Sequence, residues 1–291
     1  MTPFFCLWLI LLPLLCYANT SASNVDQIKD YFEKQGFVVL RNFFEKSQLE
    51  PWQRSASSFF GSIFQIMHDK GHTAFPEHSR LIQTPDGSIK RRYSMGEGRQ
   101  RGFQEIVMRS PGRYEISLEA LSAAAVGAEE TPTLKDVVQK LAAIVPPMLH
   151  TTATNMSLAS SLIVSTPDAP EQNWHADGEH VDMKRHMPAH CISVFVPLIN
   201  VTTVNLGPTE LYPTSHYTTR QPSPMKIEPA KLPAAYAPLL NVGDILVFDY
   251  RLLHRGKANM STQNRPMLVL SFSQAWFRDD KNWPERSLSD S

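Results

Sequence analysis

From Leu158 onward the texture of the chain changes, and that change limits the folds open to it. Five short runs, at residues 158–166, 191–199, 209–215, 244–250 and 266–277, are rich in β-branched and aromatic residues. Pro, Gly and Asn turns separate them, which is the signature of strands rather than helices. Upstream the periodicity is helical. Helices first and antiparallel-looking strands second predict a mainly β fold with α, an α-decorated sandwich or barrel. No internal repeat or linker breaks residues 19–291, so they read as one domain. Its helical part runs to about residue 150 and its barrel core covers about 158–277.

The upstream half predicts specific elements. Asn24 is placed to cap a helix carrying Ile28, Tyr31 and Phe32 on one face and ending at Gly36. Residues 37–40 (FVVL) read as a buried strand. Ser47 and Glu50 read as a capping box opening a longer helix. That helix has an apolar face of Leu49, Trp52, Phe59, Phe60, Ile63, Phe64 and Met67, which is core-forming. Thr133 is placed to cap a further helix with Leu134, Val137, Val138, Leu141 and Val145 on one side, ended by Pro146 and Pro147. Residues 70–113 lack periodicity and read as loop. From Arg80 to Arg113 they hold eight basic and three acidic residues. A solvated, salt-bridged loop is the plain reading of this stretch; a wall facing an anionic ligand is the sharper one.

The N-terminus reads as a targeting segment. Residues 3–18 carry no charge, and their dense apolar part is about twelve residues, short of the roughly 20 needed to span a bilayer. Cys16-Tyr17-Ala18 puts small residues where a signal peptidase reads them. Residues 1–18 are therefore expected to be a secretory signal, and no stable transmembrane span is expected after its removal. No Lys or Arg precedes the run, so an uncleaved membrane anchor is the alternative. Of three cysteines only Cys191 lies beyond it, so no internal disulfide is expected. Asn19, Asn155, Asn200 and Asn259 each open a glycosylation sequon, consistent with a glycoprotein of the secretory pathway. Lys plus Arg and Asp plus Glu each number 28, so net charge gives no reason to expect nucleic acid as a partner.

The chemistry-bearing stretch is residues 173–190, NWHADGEHVDMKRHMPAH. It contains His-x-Asp twice, as His175-Ala176-Asp177 and His180-Val181-Asp182. On an extended segment, residues two apart point to the same side, so an imidazole and a carboxylate can converge on one cation. Two ligands do not make a stable site. Two histidines and one carboxylate form the facial triad of non-haem iron oxygenases, which leaves positions open for substrate and O2. A second region, residues 244–273, reads as strand, turn, strand. It places His254 just past one strand and Arg265 at the start of the next. A barrel would bring both to one mouth, where a guanidinium suits a carboxylate through its planar fork. Spacing alone leaves both His-x-Asp pairs open.

The chain resembles the phytanoyl-CoA dioxygenase family of Fe(II)/2-oxoglutarate oxygenases. YFEKQGFVVLRNFFEKSQLE, WHADG, FVPLINVTTVNLGPTELYPTSH and LLHRGKANMSTQNRP carry the resemblance across most of the chain. It implies a double-stranded β-helix, the jelly-roll or cupin-like barrel, flanked by N-terminal helices. It implies Fe(II) held by His175, Asp177 and His254, with Arg265 binding the distal carboxylate of the co-substrate 2-oxoglutarate. His180 and Asp182 then fall outside the metal motif. The implied reaction consumes O2 and hydroxylates a small molecule, lipid-like or anionic, with release of succinate and CO2. The carboxylate of Asp177 favours hydroxylation or a related oxidation over halogenation. Two departures stand out. Met267 occupies the place of a serine that often follows the arginine, and Pro213-Thr214-Ser215-His216 replaces a Gly-Ser-His turn. A metal-binding barrel without catalysis, using His175, Asp177, Glu179 and His180, is the alternative.

Overall fold

A computed structural model describes residues 16–17, 22–72, 79–83, 89–93, 102–123, 132–218, 232–279 and 282–290. In chain order the elements are β1 (Cys16–Tyr17), α1 (Ala22–Gln35), β2 (Phe37–Arg41), α2 (Lys46–Asp69), β3 (Ser79–Gln83), β4 (Ile89–Tyr93), β5 (Ile106–Ser110) and β6 (Arg113–Ser117). Then come α3 (Leu118–Ala123), α4 (Lys135–Leu141), α5 (Val145–Met148), β7 (Met156–Ser165), β8 (Cys191–Pro197), β9 (Thr209–Leu211), β10 (Ile245–Asp249), β11 (His254–Gly256) and β12 (Arg265–Gln274).

Eight strands form one sheet in the order β1-β2-β10-β8-β12-β7-β6-β5, antiparallel throughout except for the β1–β2 pair. A smaller second layer pairs β11 with β9, and His175 joins it by bridging to His254. These two layers are the double-stranded β-helix. Period-two alternation gives the large sheet two distinct faces. One face, with Ile192, Val194, Val196, Leu268 and Leu270 fully buried, packs on Phe32, Leu49, Trp52, Ile63 and Leu141 of the helices. The other faces the second layer, with Phe37, Leu246 and Phe248 packed against Leu211, Leu240 and Leu252. Burying apolar area at ~25 cal/mol per Å² drives both contacts.

Several local expectations are corrected. Asn24 lies inside α1 rather than capping it, although Gly36 does end that helix at φ +80. The capping box of α2 is Glu45 with Gln48, two residues earlier than Ser47 with Glu50. Pro146 and Pro147 do not end a helix. They sit in the first turn of α5, where their missing N–H groups would be unpaired anyway. The stretch read as loop contains the hairpin β3–β4, and β5–β6 extends the large sheet. Its charged side chains conceal the alternation.

The targeting segment lies outside the described residues apart from Cys16–Tyr17, which pair with Leu40 and Arg41. Among the described residues no helix is long and apolar enough to cross a membrane. Asn155 and Asn200 are exposed, and Asn19 lies outside the described residues. Asn259 is wholly buried and donates to the carbonyls of Ser165, Thr166 and Gln263, so in the folded protein its sequon is closed to modification.

Candidate metal centre and anion site

His175 and His254 exchange both backbone hydrogen bonds, at 3.0 and 2.8 Å, across an isolated antiparallel bridge. That pairing sets their rings 4.5 Å apart between centroids. Asp177, two residues on, turns to the same side. Its Oδ1 lies 3.9 Å from His175 Nε2 and 3.6 Å from His254 Nε2. One ligand atom from each of the three falls within 4.8 Å of the others. In each histidine Nδ1 is held by a backbone carbonyl, Asn173 O at 2.8 Å and Leu252 O at 3.0 Å. Those bonds leave both Nε2 atoms as lone-pair donors aimed at Asp177, which is how a metal-ligating imidazole is oriented. Packing around the ring, then the neighbouring His254, holds the His175 imidazole down to about 4, so it is neutral and ready to ligate at ordinary pH.

The competing pair is used otherwise. Asp182 Oδ1 accepts from the Lys184 and Arg185 amides, closing a turn. His180 is buried beside His186, with ring centroids 6.1 Å apart. Among the described residues the metal-ligand group is His175, Asp177 and His254 alone, so the alternative set with Glu179 and His180 is not assembled.

Arg265 is 3% exposed, and among the described residues its guanidinium has no ion pair and its Nε no hydrogen bond. Burial pulls its pKa down to about 10. Charge buried without a partner is costly, and an anion bound here would offset that cost. Strand register shows what accompanies it: Arg265, Ser165 and Arg113 are direct partners across β12, β7 and β6. Ser165 Oγ and Arg113 Nε are likewise buried without a hydrogen-bond partner. Arg113 spends its other nitrogens on Ser110 Oγ and the carbonyls of Pro170 and Lys257. Burial and the repulsion of Arg265 hold its pKa down to about 9. Gly256 makes room for this side chain, because a Cβ there would meet the Arg113 guanidinium carbon at 2.9 Å.

The contact missing at Met267 is therefore available from elsewhere. Met267 is a buried wall residue one pleat from Arg265. The sequence reading had Arg113 only as one of a basic group; its burial inside the domain shows in neither charge nor spacing. Arg109 of that group is paired with Glu115. Arg91 and Arg92 lie in β4, and their side chains, with Arg99 and Arg101, lie outside the described residues.

The Pro213–His216 turn explains how a glycine was dispensed with. Thr214 takes φ +65, the conformation glycine adopts freely, and bears it. Ser215 Oγ donates to Tyr212 O and accepts from the Leu253 amide, the residue before His254.

Residues 32–267 match the sequence profile of the phytanoyl-CoA dioxygenase (PhyH) family. The chain belongs to that family. Among curated proteins no sequence matches it. Solved structures share its fold. The PhyH chain is similar to the epimerase SnoN from nogalamycin biosynthesis, in complex with Fe3+, alpha ketoglutarate and nogalamycin RO, at 12% identity and a TM-score of 0.57, over 88% of this chain and 85% of that one. EctD from S. alaskensis with bound Fe is 18% identical with a TM-score of 0.54, over 96% and 85%. EvdO2 from Micromonospora carbonacea var. aurantiaca, complexed with 2-oxoglutarate, is 16% identical with a TM-score of 0.52, over 94% and 100%.

Proposed function

We propose that this chain is an Fe(II)- and 2-oxoglutarate-dependent dioxygenase that hydroxylates a small molecule. One observation carries the reading. Two imidazoles and a carboxylate converge with their ligating atoms turned inward, inside the same barrel as a buried Arg265 that has no anion to neutralise it among the described residues. A metal-binding barrel alone has no use for that arginine.

The donor set fits ferrous iron: two nitrogen ligands and one oxygen ligand on one face leave coordination positions open. Bound there with 2-oxoglutarate, the iron would supply the oxidising step, with succinate and CO2 as co-products. His175, Asp177 and His254 would hold it. Arg265, assisted by Ser165 Oγ and Arg113 Nε, would grip the distal carboxylate of 2-oxoglutarate, a charge-assisted contact in a dry site. Asp177 keeps its carboxylate in the ligand set, which supports hydroxylation over halogenation. The segment at residues 1–18 supports a secretory-pathway setting, where coenzyme A esters are poor candidate substrates.

The test is anaerobic addition of Fe(II) and 2-oxoglutarate to the purified protein, read by the visible metal-to-ligand charge-transfer band. A band lost in His175→Ala and weakened in Arg265→Ala supports the dioxygenase. Metal uptake with no band at saturating 2-oxoglutarate would favour the non-catalytic barrel.

A further inference from the structure

The face of the large sheet that looks into the barrel is chemically unlike its other face. On β12 the inward positions after Val269 are Ser271 and Ser273. Their partners are Ser193 and Cys191 on β8, and Ala159 and Ser157 on β7. The outward neighbours Leu268 and Leu270 are fully buried in the apolar core. Ser271 lies on a strand hydrogen-bonded on both sides, yet it is partly exposed, and Ser157 and Ala159 are exposed. Solvent therefore reaches the middle of the sheet from inside, along a trough floored by small residues.

The wholly buried Phe248 links this row of residues to the candidate metal centre. The His254 ring packs on Phe248 at 4.7 Å between centroids, and Phe248 is the direct partner of Ser193 in the row that continues to Ser271 and Ala159. Neighbouring strands are about 4.8 Å apart, so Ser271 lies roughly 10 Å across the sheet from Phe248. The arginine row is displaced along the strands in the other direction, three pleats away at Arg265. The two ends of the barrel interior thus differ: one is cationic, and the other is hydroxyl-lined, where burial, then Asp177, Asp279 and Asp249, push the Cys191 thiol up. Among the described residues the hydroxyls of Ser157, Ser193, Ser271 and Ser273 have no protein partner. A hydroxyl both donates and accepts, and it carries no charge. Ser193 and Ser273 are already buried, and covering the partly exposed Ser271 with an alkyl chain would strip its hydroxyl of water and return no hydrogen bond.

Resting on the dioxygenase reading, we infer that the substrate is an uncharged, hydroxyl-bearing molecule, of polyol or glycoside character, laid along Ser193, Ser271 and Ser273 with the oxidised carbon at the Phe248 end. An acyl chain does not suit this floor, and among the described residues the complement for an anion is the arginine row, which the co-substrate fills.

The experiment uses the anaerobic complex with Fe(II) and 2-oxoglutarate and reads ligand binding by saturation-transfer NMR. The probes are methyl α-D-glucopyranoside, sorbitol and sodium octanoate. Saturation transfer to the neutral polyols, weakened about tenfold in Ser271→Val and in Ser193→Val, is the expected result; loss of one good hydrogen bond to a buried partner is worth about that factor. Ser271→Ala, which removes the hydroxyl and adds no bulk, should weaken binding in the same sense. Binding of octanoate in preference, strengthened by Ser271→Val, overturns the inference, as does saturation of no polyol up to its solubility limit. The charge-transfer band is recorded on the same samples. An intact band with no polyol binding refutes the substrate class alone, whereas loss of the band refutes the dioxygenase.

Discussion

His175 and His254 are partners in a single antiparallel bridge, and Asp177 reaches both of their Nε2 atoms because it lies one pleat beyond that bridge. The candidate iron site is thus a property of strand pairing. His175→Ala and His254→Ala should each abolish the charge-transfer band. His180→Ala and Asp182→Ala should change iron affinity by no more than about twofold, well below the 10–100-fold cost of losing a group that orients a ligand. Metal titration of the four variants checks this. Comparable losses in the second pair would show that the wrong His-x-Asp had been assigned.

The arginine row predicts a graded effect on the co-substrate. Arg265→Ala should weaken 2-oxoglutarate binding about 100-fold while leaving iron binding intact, since it removes a charge-assisted contact in a buried site. Ser165→Ala, which removes one hydroxyl of the row, should cost less, about five- to tenfold. Calorimetric titration with 2-oxoglutarate under anaerobic conditions separates the two.

Thr214 predicts a gain in stability. A β-branched residue at φ +65 is strained by roughly 1–2 kcal/mol relative to glycine. Thr214→Gly should stabilise the fold by about 1 kcal/mol, after the entropy glycine returns to the unfolded chain. Denaturant unfolding measures it, and a destabilised variant would contradict the reading.

His190 predicts an acid limit. It is 3% exposed, both ring nitrogens lack partners among the described residues, and it packs on Trp276 and Phe277. Burial, then Arg251, depresses its pKa to about 4. The unfolded chain takes up this proton near pH 6.5 and the folded protein only near 4. Stability is therefore full above pH 6.5 and falls as the pH drops towards 4, by about 1.4 kcal/mol per unit at most. His190→Phe should flatten that part of the stability profile, read as melting temperature against pH.

Asn259 predicts an unmodified sequon. Expressed through a eukaryotic secretory pathway, the folded protein should show no glycan at Asn259 by peptide mapping, whatever happens at Asn155 and Asn200. Asn259→Ala, leaving three carbonyls without their donor, should destabilise by roughly 2–3 kcal/mol.

Much of the molecule was legible in the chain because its signals are local. β-Branched and aromatic runs between Pro, Gly and Asn turns marked β7, β8, β10 and β12, and the two-residue spacing put His175 and Asp177 on one side. Gly36 marked the end of α1. Where the local signal was weak or doubled, reading failed: charged side chains hid β5 and β6, and Pro146–Pro147 fits a helix start as well as a helix end. By itself the sequence determined which residue types could meet a metal and an anion, and on which pleat each would stand. Only the tertiary structure decided who meets whom. That Arg113, Ser165 and Arg265 share one row, and that serines floor the far end of the barrel, depends on register between strands distant in the chain. Such register is set by the packing of whole sheet faces, which no short stretch encodes.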